Sequence, residues 1–475
     1  MRSVSMIIDG QAVTARETFD VINPATEQVV ACAPAGNSGH VDAAVTAARR
    51  AFAKWSRQPD SVRKEMLMAV AKLIEDNTAE LVDLVVEESG KPIGGLNGVG
   101  AAMEVGGSIA WASYTASLNL PVDVIQDDEI ARVEVHRKPL GVVASITPWN
   151  WPLMIAIWHI IPALRAGNTV VIKPSELTPM ATARFVELAN SILPSSVLNL
   201  VTGSAGSDVG PALVSHPEVD KVVFTGSTAT GKAIMGNAAA TLKRLTLELG
   251  GNDAAIVLPG ANIQNLAKQL FGAAFHNNGQ TCACLKRLYV HQDQYEEMCT
   301  ALSDLARDVV IGDGRDPSSE LGPIQNAAQL SRVFSLVESA RMAGGRILAG
   351  GERVDRAGYF FAPTIIADLP DEAPLVAEEQ FGPVLPVLKY SSIDEAIIRA
   401  NNNPNGLGGS VWGKDIELAQ HVASRLECGT VWVNEHGAIQ PNAPFGGIKQ
   451  SGIGVEFGRY GLEENTSIQT MKIMK

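Results

Sequence analysis

Cys282 is the residue whose type and setting best suit nucleophilic chemistry in this chain. It lies in the stretch Asn277-Asn278-Gly279-Gln280-Thr281-Cys282-Ala283-Cys284, just past the apolar helical run 266–275. A thiol at the point where a helix gives way to a loop can be exposed and can attack an electrophile as its thiolate. The alternative is an inert, buried cysteine, because free cysteine is among the residue types most often buried.

Glu248 is a candidate general base. It lies at the predicted end of a strand, in the apolar run 245–251 with the sequence LTLELGG. Removal from water at such a place would raise the pKa of the carboxyl toward neutrality and make it a usable base. The alternative is a carboxylate paired with a lysine or arginine from another part of the chain.

Polar side chains follow the predicted strands before Glu248 as well. The sequence TPWN at 147–150 ends one strand, KPSE at 173–176 ends the next, and TGS at 225–227 ends another. Ligands of parallel sheets bind at the carboxyl ends of the strands, so these residues predict a crevice. Lys173 and Glu176 suit a pair of sugar hydroxyls, but residues of this kind before an apolar run are also common helix caps.

The segment 226–232 satisfies the pattern G-x-x-x-x-G-K between a strand and a helix. Position 233 is alanine, so the hydroxyl that would bind Mg²⁺ is missing, and this argues against a nucleoside triphosphatase. Backbone N–H groups at a helix N-terminus can still hold a pyrophosphate. The fingerprint G-x-G-x-x-G is absent and 203–210 only approximates it, so the pattern makes a dinucleotide site plausible and no more.

The elements that must position these residues are predicted strands and helices, which alternate from Leu140 onward. Before it, the first part of the chain, to about Ser117, is predicted to be helical, with a β-hairpin between 120 and 137. The 475 residues exceed what one hydrophobic core serves. Short Val/Ile/Leu runs separated by helical patterns predict an α/β fold with two doubly wound parallel sheets, joined near Gly250-Gly251, and 467–475 is compatible with an edge strand.

Composition excludes several classes of function. A net charge of −13 would repel a polyanion, so nucleic acid is not an expected partner. Five thinly spread cysteines without histidines at ligand spacing predict a reducing compartment and no metal site. The longest apolar run, 151–164, is too short to span a bilayer and contains His159 and Pro162. The N-terminus lacks a long apolar signal segment, so a cytoplasmic location is expected.

Seven motifs, in this order, resemble the NAD(P)-dependent aldehyde dehydrogenase superfamily along essentially the whole chain. They are TPWN at 147–150, KPSE at 173–176, FTGS at 224–227, LELGG at 247–251, GQTC at 279–282, EEQFGP at 378–383 and PFGG at 444–447. Any one of them would be a weak signal. Seven in order make a highly specific match.

The resemblance implies a role for each of three residues. Cys282 matches the family's nucleophile, whose thiolate adds to the aldehyde carbon. The side chain of Asn150 and the backbone N–H of Cys282 resemble the oxyanion hole. After hydride passes to the nicotinamide, Glu248 resembles the base that activates water to hydrolyse the thioester.

The resemblance also implies NAD as cofactor, with NADP left open. Glu176 would accept from the ribose 2′-hydroxyl and repel a 2′-phosphate. The positions that match cofactor contacts are Ile146, Trp149, Lys173, Ser175, Glu176, Gly226, Ser227, Leu249, Glu379 and Phe381.

The implied domains are a cofactor-binding domain from 1–117 and 139–249 and a catalytic domain from 250–446. A bridging region from 118–138 and 465–475 would serve a homodimer or homotetramer, and 447–464 is a return segment.

Departures from the family pattern concern specificity and redox sensitivity. Cys284 is a second thiol, Gln380 replaces an aliphatic residue, and 434–437 replaces the commoner continuation at the substrate mouth. By position, a mostly apolar set without a cation should line the substrate tunnel: Ile155, Trp158, Thr281 and Ile439. Glu104, on a nearby helix, could face either way.

The apolar tunnel favours an uncharged aliphatic or aromatic aldehyde. Two alternatives remain, a coenzyme A-dependent acylating enzyme and a non-catalytic relative. The presence of Glu248 argues against the first, and the retention of Cys282, Asn150 and Glu248 argues against the second.

Overall fold

The computed structural model describes residues 2–475, and its N-terminal segment is rich in strands. These are β1 (Arg2–Ser3), β2 (Met6–Ile8), β3 (Gln11–Val13), β4 (Thr18–Asn23) and β5 (Gln28–Pro34). The prediction of helices from the start of the chain is wrong here. The strands have two to seven residues and lack a long apolar period, which is why the sequence pattern did not predict them. They pair mainly with one another, and the buried β2 also pairs with the distant strand Leu198–Leu200.

Four helices follow and agree with the predicted helical region. They are α1 (Ser38–Trp55), α2 (Asp60–Asp76), α3 (Thr78–Ser89) and α4 (Ala101–Ser117). The Asn37 side chain caps α1 by accepting from the backbone N–H groups of Gly39 and His40. Gly90 ends α3 with a left-handed φ of 71°, which lets the chain turn back toward the centre of the molecule.

The first main sheet has eight strands in the order β22-β12-β11-β8-β9-β10-β2-β3. Its central strands are parallel, and β2, β3 and β22 add antiparallel edges. The elements of its central part are β8 (Val142–Ile146), α5 (Pro152–Arg165), β9 (Thr169–Lys173), α6 (Met180–Ala189), β10 (Leu198–Leu200), α7 (Val209–Ser215), β11 (Lys221–Thr225), α8 (Thr228–Ala238) and β12 (Arg244–Glu248).

The second main sheet has seven strands in the order β15-β16-β17-β14-β13-β19-β20, and only β15 is antiparallel to its neighbour. Its elements are β13 (Asp253–Val257), α9 (Ile263–Phe275), β14 (Leu285–His291), α10 (Tyr295–Asp308), α11 (Ala327–Met342), β15 (Arg346–Ala349), β16 (Thr364–Ala367), α12 (Pro374–Ala377), β17 (Val384–Tyr390), α13 (Ile393–Asn401), β18 (Asn405–Gly406), β19 (Gly408–Trp412), α14 (Ile416–Ala423) and β20 (Thr430–Val433). The predicted fold class, with two parallel sheets in an α/β chain, is confirmed.

The end of the chain returns to the first sheet and then leaves it. It contains β21 (Ile448–Lys449), β22 (Gly452–Ile453), α15 (Gly458–Glu463) and β23 (Thr466–Met474). β23 pairs antiparallel with β7 (Ala131–Pro139), which pairs with β6 (Asp123–Asp127). The predicted hairpin and C-terminal edge strand therefore form one small three-stranded sheet.

The most apolar helix, α5, is buried along nearly its whole length and has 14 residues. No helix within residues 2–475 combines the length and the hydropathy needed to cross a bilayer. The carboxyl ends of β8, β9, β11 and β12 meet at one edge of the first sheet, which brings together the polar residues that follow them.

Candidate active site

The loop that carries Cys282 begins with three residues in left-handed backbone conformation. After α9 ends at Phe275, φ is 50° at Asn277, 57° at Asn278 and 67° at Gly279. Asparagine tolerates this region better than most residues, and a Cβ at position 279 would lie 2.4 Å from the carbonyl oxygen of Gly382. The tight turn directs the chain so that the half-buried Cys282 side chain lines a cavity.

Hydrogen bonds connect this loop to the segment before α5. Asn150 Nδ2 donates to the Gln280 carbonyl at 2.9 Å, and Asn277 Nδ2 donates to the same carbonyl at 3.2 Å and to the Asn150 carbonyl at 3.1 Å. Trp151 Nε1 donates to Thr281 Oγ1 at 3.0 Å. Asn150 and the loop that carries Cys282 lie far apart in the sequence, and this hydrogen-bond network holds them together.

A buried ion pair anchors Asn150 from the other side. Lys91 Nζ donates to Glu104 Oε2 at 2.5 Å and to the Asn150 carbonyl at 2.9 Å. Glu104 Oε1 accepts from the backbone N–H of Leu153 at 3.0 Å, so it faces the N-terminus of α5. Burial lowers the pKa of Lys91 to about 8. No local sequence pattern predicted this pair, since Gly90 and Pro92 only indicated the end of a helix.

Two opposing influences act on the sulfur of Cys282. Its enclosure raises the pKa of the thiol to about 12, and the Lys286 ammonium opposes that shift. Lys286 Nζ donates to the Thr281 carbonyl at 2.7 Å and to the Cys282 carbonyl at 2.6 Å. The resting thiol is protonated at neutral pH, so a nucleophilic role needs a base or a local positive charge.

Glu248 is buried at the end of β12, as the sequence predicted. Among the residues that the structure describes, neither carboxylate oxygen has a hydrogen-bond partner. Burial and the negative charge of Glu456 together raise the pKa of Glu248 well above its ordinary value. The alternative interpretation, pairing with a lysine or arginine, finds no support in these contacts.

Sequence reasoning missed Glu456 and gave His159 no role. His159 lies on buried α5, with Nε2 3.0 Å from Thr225 Oγ1 and 3.3 Å from Glu456 Oε1. His159 Nδ1 is 2.9 Å from Ser145 Oγ. A histidine inside an apolar helix was the one available signal. This polar group, with Glu456, lies beside Glu248.

A cavity of about 660 Å³ opens in front of Cys282. All four predicted tunnel residues, Ile155, Trp158, Thr281 and Ile439, line it, together with further aromatic side chains: Trp111, Trp151 and Phe445. Glu104 does not line it.

Titratable groups in the cavity wall qualify the prediction that it is apolar. Glu435 is exposed there, and His276 lies with Nε2 3.5 Å from Cys284 Sγ. Burial lowers the pKa of His276, but the neighbouring Cys284 sulfur outweighs it and leaves the pKa raised. Burial likewise raises the pKa of Cys284, and His276 outweighs it and leaves that pKa lowered. The His276 side chain in the wall therefore pairs with the fully buried Cys284, which does not itself line the cavity.

The crevice at the strand ends of the first sheet has groups that fit a dinucleotide. Lys173 Nζ is 4.0 Å from Glu176 Oε2 at the end of β9, and Ser227 caps the N-terminus of α8 by accepting from Thr230 N at 3.2 Å. The first N–H groups of that helix have no partner within the helix, so they can bind a phosphate. Ser175 and Glu176 do not cap α6, which begins only at Met180.

Glycines keep the other end of the crevice close-packed. A Cβ at Gly250 would lie 2.4 Å from Glu379 Oε2, and one at Gly226 would lie 2.5 Å from the Phe224 ring. Trp149 and Phe381 contact edge to face, with ring centroids 5.3 Å apart. These groups suit NAD(P). The two carboxylates can accept hydrogen bonds from its hydroxyls, and the lysine and the helix N-terminus can donate to its hydroxyls and phosphates. Ile146 and Leu249 lie at the ends of β8 and β12 beside these groups.

The family model described as the aldehyde dehydrogenase family matches residues 12–471. The chain belongs to this family. It is 39% identical over 488 residues to the phenylacetaldehyde dehydrogenase of Pseudomonas fluorescens, covering 98% of this chain and 95% of the relative. It is 37% identical over 483 residues to the chloroplastic betaine aldehyde dehydrogenase of Beta vulgaris, covering 98% and 95%.

Solved structures agree. The NAD+ complex of an aldehyde dehydrogenase from Bacillus cereus superposes with a TM-score of 0.96 at 36% identity, covering 100% of this chain and 97% of that one. The chain is therefore an NAD(P)-dependent aldehyde dehydrogenase that oxidises an aldehyde. The roles of individual residues and the identity of the aldehyde are separate questions.

Proposed function

We propose that Cys282, Asn150 and Glu248 carry the oxidation of an aldehyde to its carboxylic acid. The Cys282 thiol first releases its proton to solvent water, and the thiolate then attacks the carbonyl carbon, while the Asn150 side chain with the Cys282 backbone N–H stabilises the thiohemiacetal oxyanion. NAD(P)+, when bound, supplies the hydride acceptor. Glu248 then takes a proton from water as that water attacks the thioester, which releases the acid and frees the thiol.

The observation that carries this proposal is the placement of Cys282 in the wall of a large cavity, with the Asn150 side chain hydrogen-bonded to its loop and the buried Glu248 carboxylate close enough to affect the pKa of the thiol. A rapid-mixing experiment with NAD+ and an aldehyde tests it. We expect an initial burst of NADH stoichiometric with active sites when Glu248 is replaced by Gln, because acylation proceeds and hydrolysis stalls. A Glu248→Gln enzyme with the full steady-state rate would overturn the assignment.

The cavity supports an uncharged aldehyde with an aromatic or long aliphatic group as substrate. Its walls contain indole and phenyl rings, including Trp111, Trp158 and Phe445, that pack well against such groups. One curated relative is named for phenylacetaldehyde. We expect phenylacetaldehyde and hexanal to give a higher kcat/KM than succinic semialdehyde, whose carboxylate would meet Glu435.

A second candidate is an aldehyde that carries a quaternary ammonium. Aromatic faces together with the exposed Glu435 at the cavity wall favour a cation, and another relative is named for betaine aldehyde. Including betaine aldehyde in the same panel decides between the two classes of substrate. The kcat/KM of the preferred class should exceed that of the other by at least about tenfold. An added coenzyme A arm tests the acylating alternative through acyl-coenzyme A formation.

Glu176 supports a preference for NAD over NADP. Within residues 2–475, its carboxylate pairs with Lys173 alone, at 4.0 Å, so a 2′-phosphate would meet a largely uncompensated negative charge. We expect a lower KM for NAD+ than for NADP+, and Glu176→Gln should narrow the difference. Equal KM values in the wild type would contradict this role.

The division of the chain at 117, 139, 250 and 446 remains part of the proposal. It is supported by the two main sheets and by the separate sheet of β6, β7 and β23. The first main sheet draws on residues 6–248 and takes only its edge strand β22 from the return segment, and the second draws on 253–433. That small sheet exposes apolar side chains that a second copy of the chain could cover: Ile125, Ile130, Ile468 and Met474. A homodimer or homotetramer is expected by light scattering, and a cytoplasmic location by cell fractionation.

A further inference from the structure

Lys286 is a buried cation that the reaction described above does not use. It lies at the start of β14, four residues after Cys282, and its side chain is 1% exposed. Its ammonium donates to two consecutive carbonyls of the nucleophile loop, those of Thr281 and Cys282. Sequence reasoning gave this residue no role.

The counter-ion of Lys286 comes from the predicted cofactor crevice. Glu379 Oε1 lies 3.2 Å from Lys286 Nζ and also accepts from the Gly251 backbone N–H at 3.1 Å. Gly251 packs against the loop, because a Cβ there would lie 2.5 Å from the Cys282 carbonyl oxygen. One carboxylate therefore contacts both the cation of the nucleophile loop and the backbone just after Glu248.

We propose that Lys286 is a positioning residue that holds the Cys282 loop and stabilises the Cys282 thiolate by its charge, and that Glu379 sets how much of this charge reaches the sulfur. The proposal takes Cys282 as the nucleophile, and so rests on the function proposed above. An ammonium bound to two loop carbonyls fixes the backbone from which the sulfur projects. Its charge also opposes the penalty that burial imposes on a thiolate.

Other charged groups face the same sulfur and set the size of the effect. Lys286 is the cation among them, while the acidic groups around the loop act against a thiolate: Glu379, Glu248 and Asp253. The cavity wall adds His276, His436 and Glu435. Burial lowers the pKa of Lys286, but Glu379 and Asp253 outweigh it and raise the pKa, so the ammonium stays charged over the working range.

The test is the pH dependence of Cys282 alkylation by iodoacetamide, in which the thiolate displaces iodide. Tandem mass spectra separate Cys282 from Cys284 within one peptide. Below the pKa of the thiol, the rate follows the thiolate fraction, so one unit of pKa is tenfold in rate. Removing the Lys286 charge by Lys286→Met should slow alkylation at a fixed pH on the order of tenfold, and Lys286→Arg should restore much of it.

The carboxylate provides a test with the opposite sign. Glu379→Gln keeps an acceptor for the Gly251 N–H but removes the negative charge, so it should speed alkylation severalfold. A purely structural role for Lys286 does not predict this acceleration. If Lys286→Met fails to fold, Glu379→Gln alone still tests whether the charge of Lys286 acts on the Cys282 thiolate. An unchanged alkylation rate in Glu379→Gln would overturn the proposal.

Lys221→Met is the matched control. Lys221 is also a buried lysine that donates to a backbone carbonyl, that of Glu464 at 2.8 Å, but it lies on β11 away from the loop. Its replacement should leave the alkylation profile of Cys282 unchanged. A slowing equal to that of Lys286→Met would overturn the proposal. Because alkylation is measured without turnover, failure here is distinct from failure of Cys282 as nucleophile, which Cys282→Ala activity reports.

Discussion

The Cys282 loop and the end of β12 are held in different ways. In the loop, the carbonyls of Gln280, Thr281 and Cys282 all accept hydrogen bonds from side chains. At the end of β12, the two oxygens of Glu248 have no partner among residues 2–475. The backbone that carries Cys282 is therefore fixed by several side-chain hydrogen bonds, while among the described residues the buried Glu248 carboxylate has none.

The difference follows from what each residue is proposed to do. A nucleophile gains from a fixed direction of attack, because the entropy cost of orienting it is met during folding rather than during the reaction. A general base must change its charge, and a carboxylate held by strong donors would keep a low pKa and bind water poorly. We therefore expect replacements in the loop to affect acylation and folding, and replacements at Glu248 to affect hydrolysis and the pH profile.

The largest effect is expected from Cys282→Ala. Without the sulfur no covalent intermediate forms, and activity should fall on the order of 10⁴-fold or more. NADH production in the steady state measures it, with NAD+ binding followed by fluorescence to show an intact crevice. Cys299→Ala, a buried thiol on α10, is the control and should keep its activity. Residual activity of Cys282→Ala above a few per cent would remove the sulfur from the reaction.

Glu248→Gln should lower the steady-state rate by roughly 10²–10⁴-fold, the usual contribution of a general base. The carboxamide keeps the shape of the side chain but cannot take a proton. The burst of NADH should keep its amplitude, because acylation does not use this carboxylate in the proposed sequence. Loss of the burst together with the steady-state rate would assign Glu248 to acylation instead.

Asn150→Ala should slow acylation by about 10²–10³-fold, as expected for loss of one oxyanion donor. The side chain also donates to the Gln280 carbonyl, so the variant loses one contact of the loop. The burst rate measures the first effect and thermal unfolding measures the second. An unchanged burst rate would show that the oxyanion is stabilised by other groups.

The pH profile should report the raised pKa of Glu248. Only the deprotonated carboxylate accepts a proton, so the hydrolysis rate should rise with pH, at most about tenfold per unit, until pH passes the raised pKa. Glu456→Gln removes the neighbouring negative charge that helps raise this pKa. It should shift the rising limb to lower pH, and an unmoved limb would show that Glu456 does not act on the base.

Stability should change with pH in the opposite direction. Folding raises the pKa of Glu248, so the folded state holds a proton that the unfolded state has already released above its ordinary pKa of 4.5. The stability that this protonation contributes is present below that value and is lost as pH rises through the raised pKa. The thermal unfolding temperature of the wild type should therefore fall as pH rises through the raised pKa of Glu248, and that of Glu248→Gln should lack this fall.

Much of the fold and the central residues of the site could be predicted from the sequence. The alternating runs from Leu140 onward predicted the parallel strands, because buried strands of this kind are continuous apolar segments. Cys282, Asn150 and Glu248 were singled out by motifs at strand and helix ends, and their roles followed from the resemblance of those motifs to the aldehyde dehydrogenase family. The four tunnel residues also line one cavity.

The contacts that the sequence could not predict join segments distant in the chain. Lys91 meets Glu104 and Asn150, and Glu456 approaches His159, only because the return segment and the helices pack together. No local pattern distinguishes these buried charges from solvated ones. The strands up to residue 34 were missed for another reason, since they are short and mostly exposed on one face and so show no long apolar period, although most of them pair with one another.

The smallest effect is expected from Asn278→Ala, which tests whether the turn before Cys282 is held under conformational strain. Asn278 has a φ of 57°, and its side chain donates to the Gly322 carbonyl. Alanine tolerates the left-handed region less well, and the change should cost about 1–2 kcal/mol of stability. Chemical denaturation measures it, with Asn278→Gly as the comparison: glycine relieves the backbone but also loses the hydrogen bond. If both variants lose the same stability, the side-chain hydrogen bond rather than the backbone conformation holds the turn. If neither does, the loop is fixed by the Lys286 and Asn150 contacts alone.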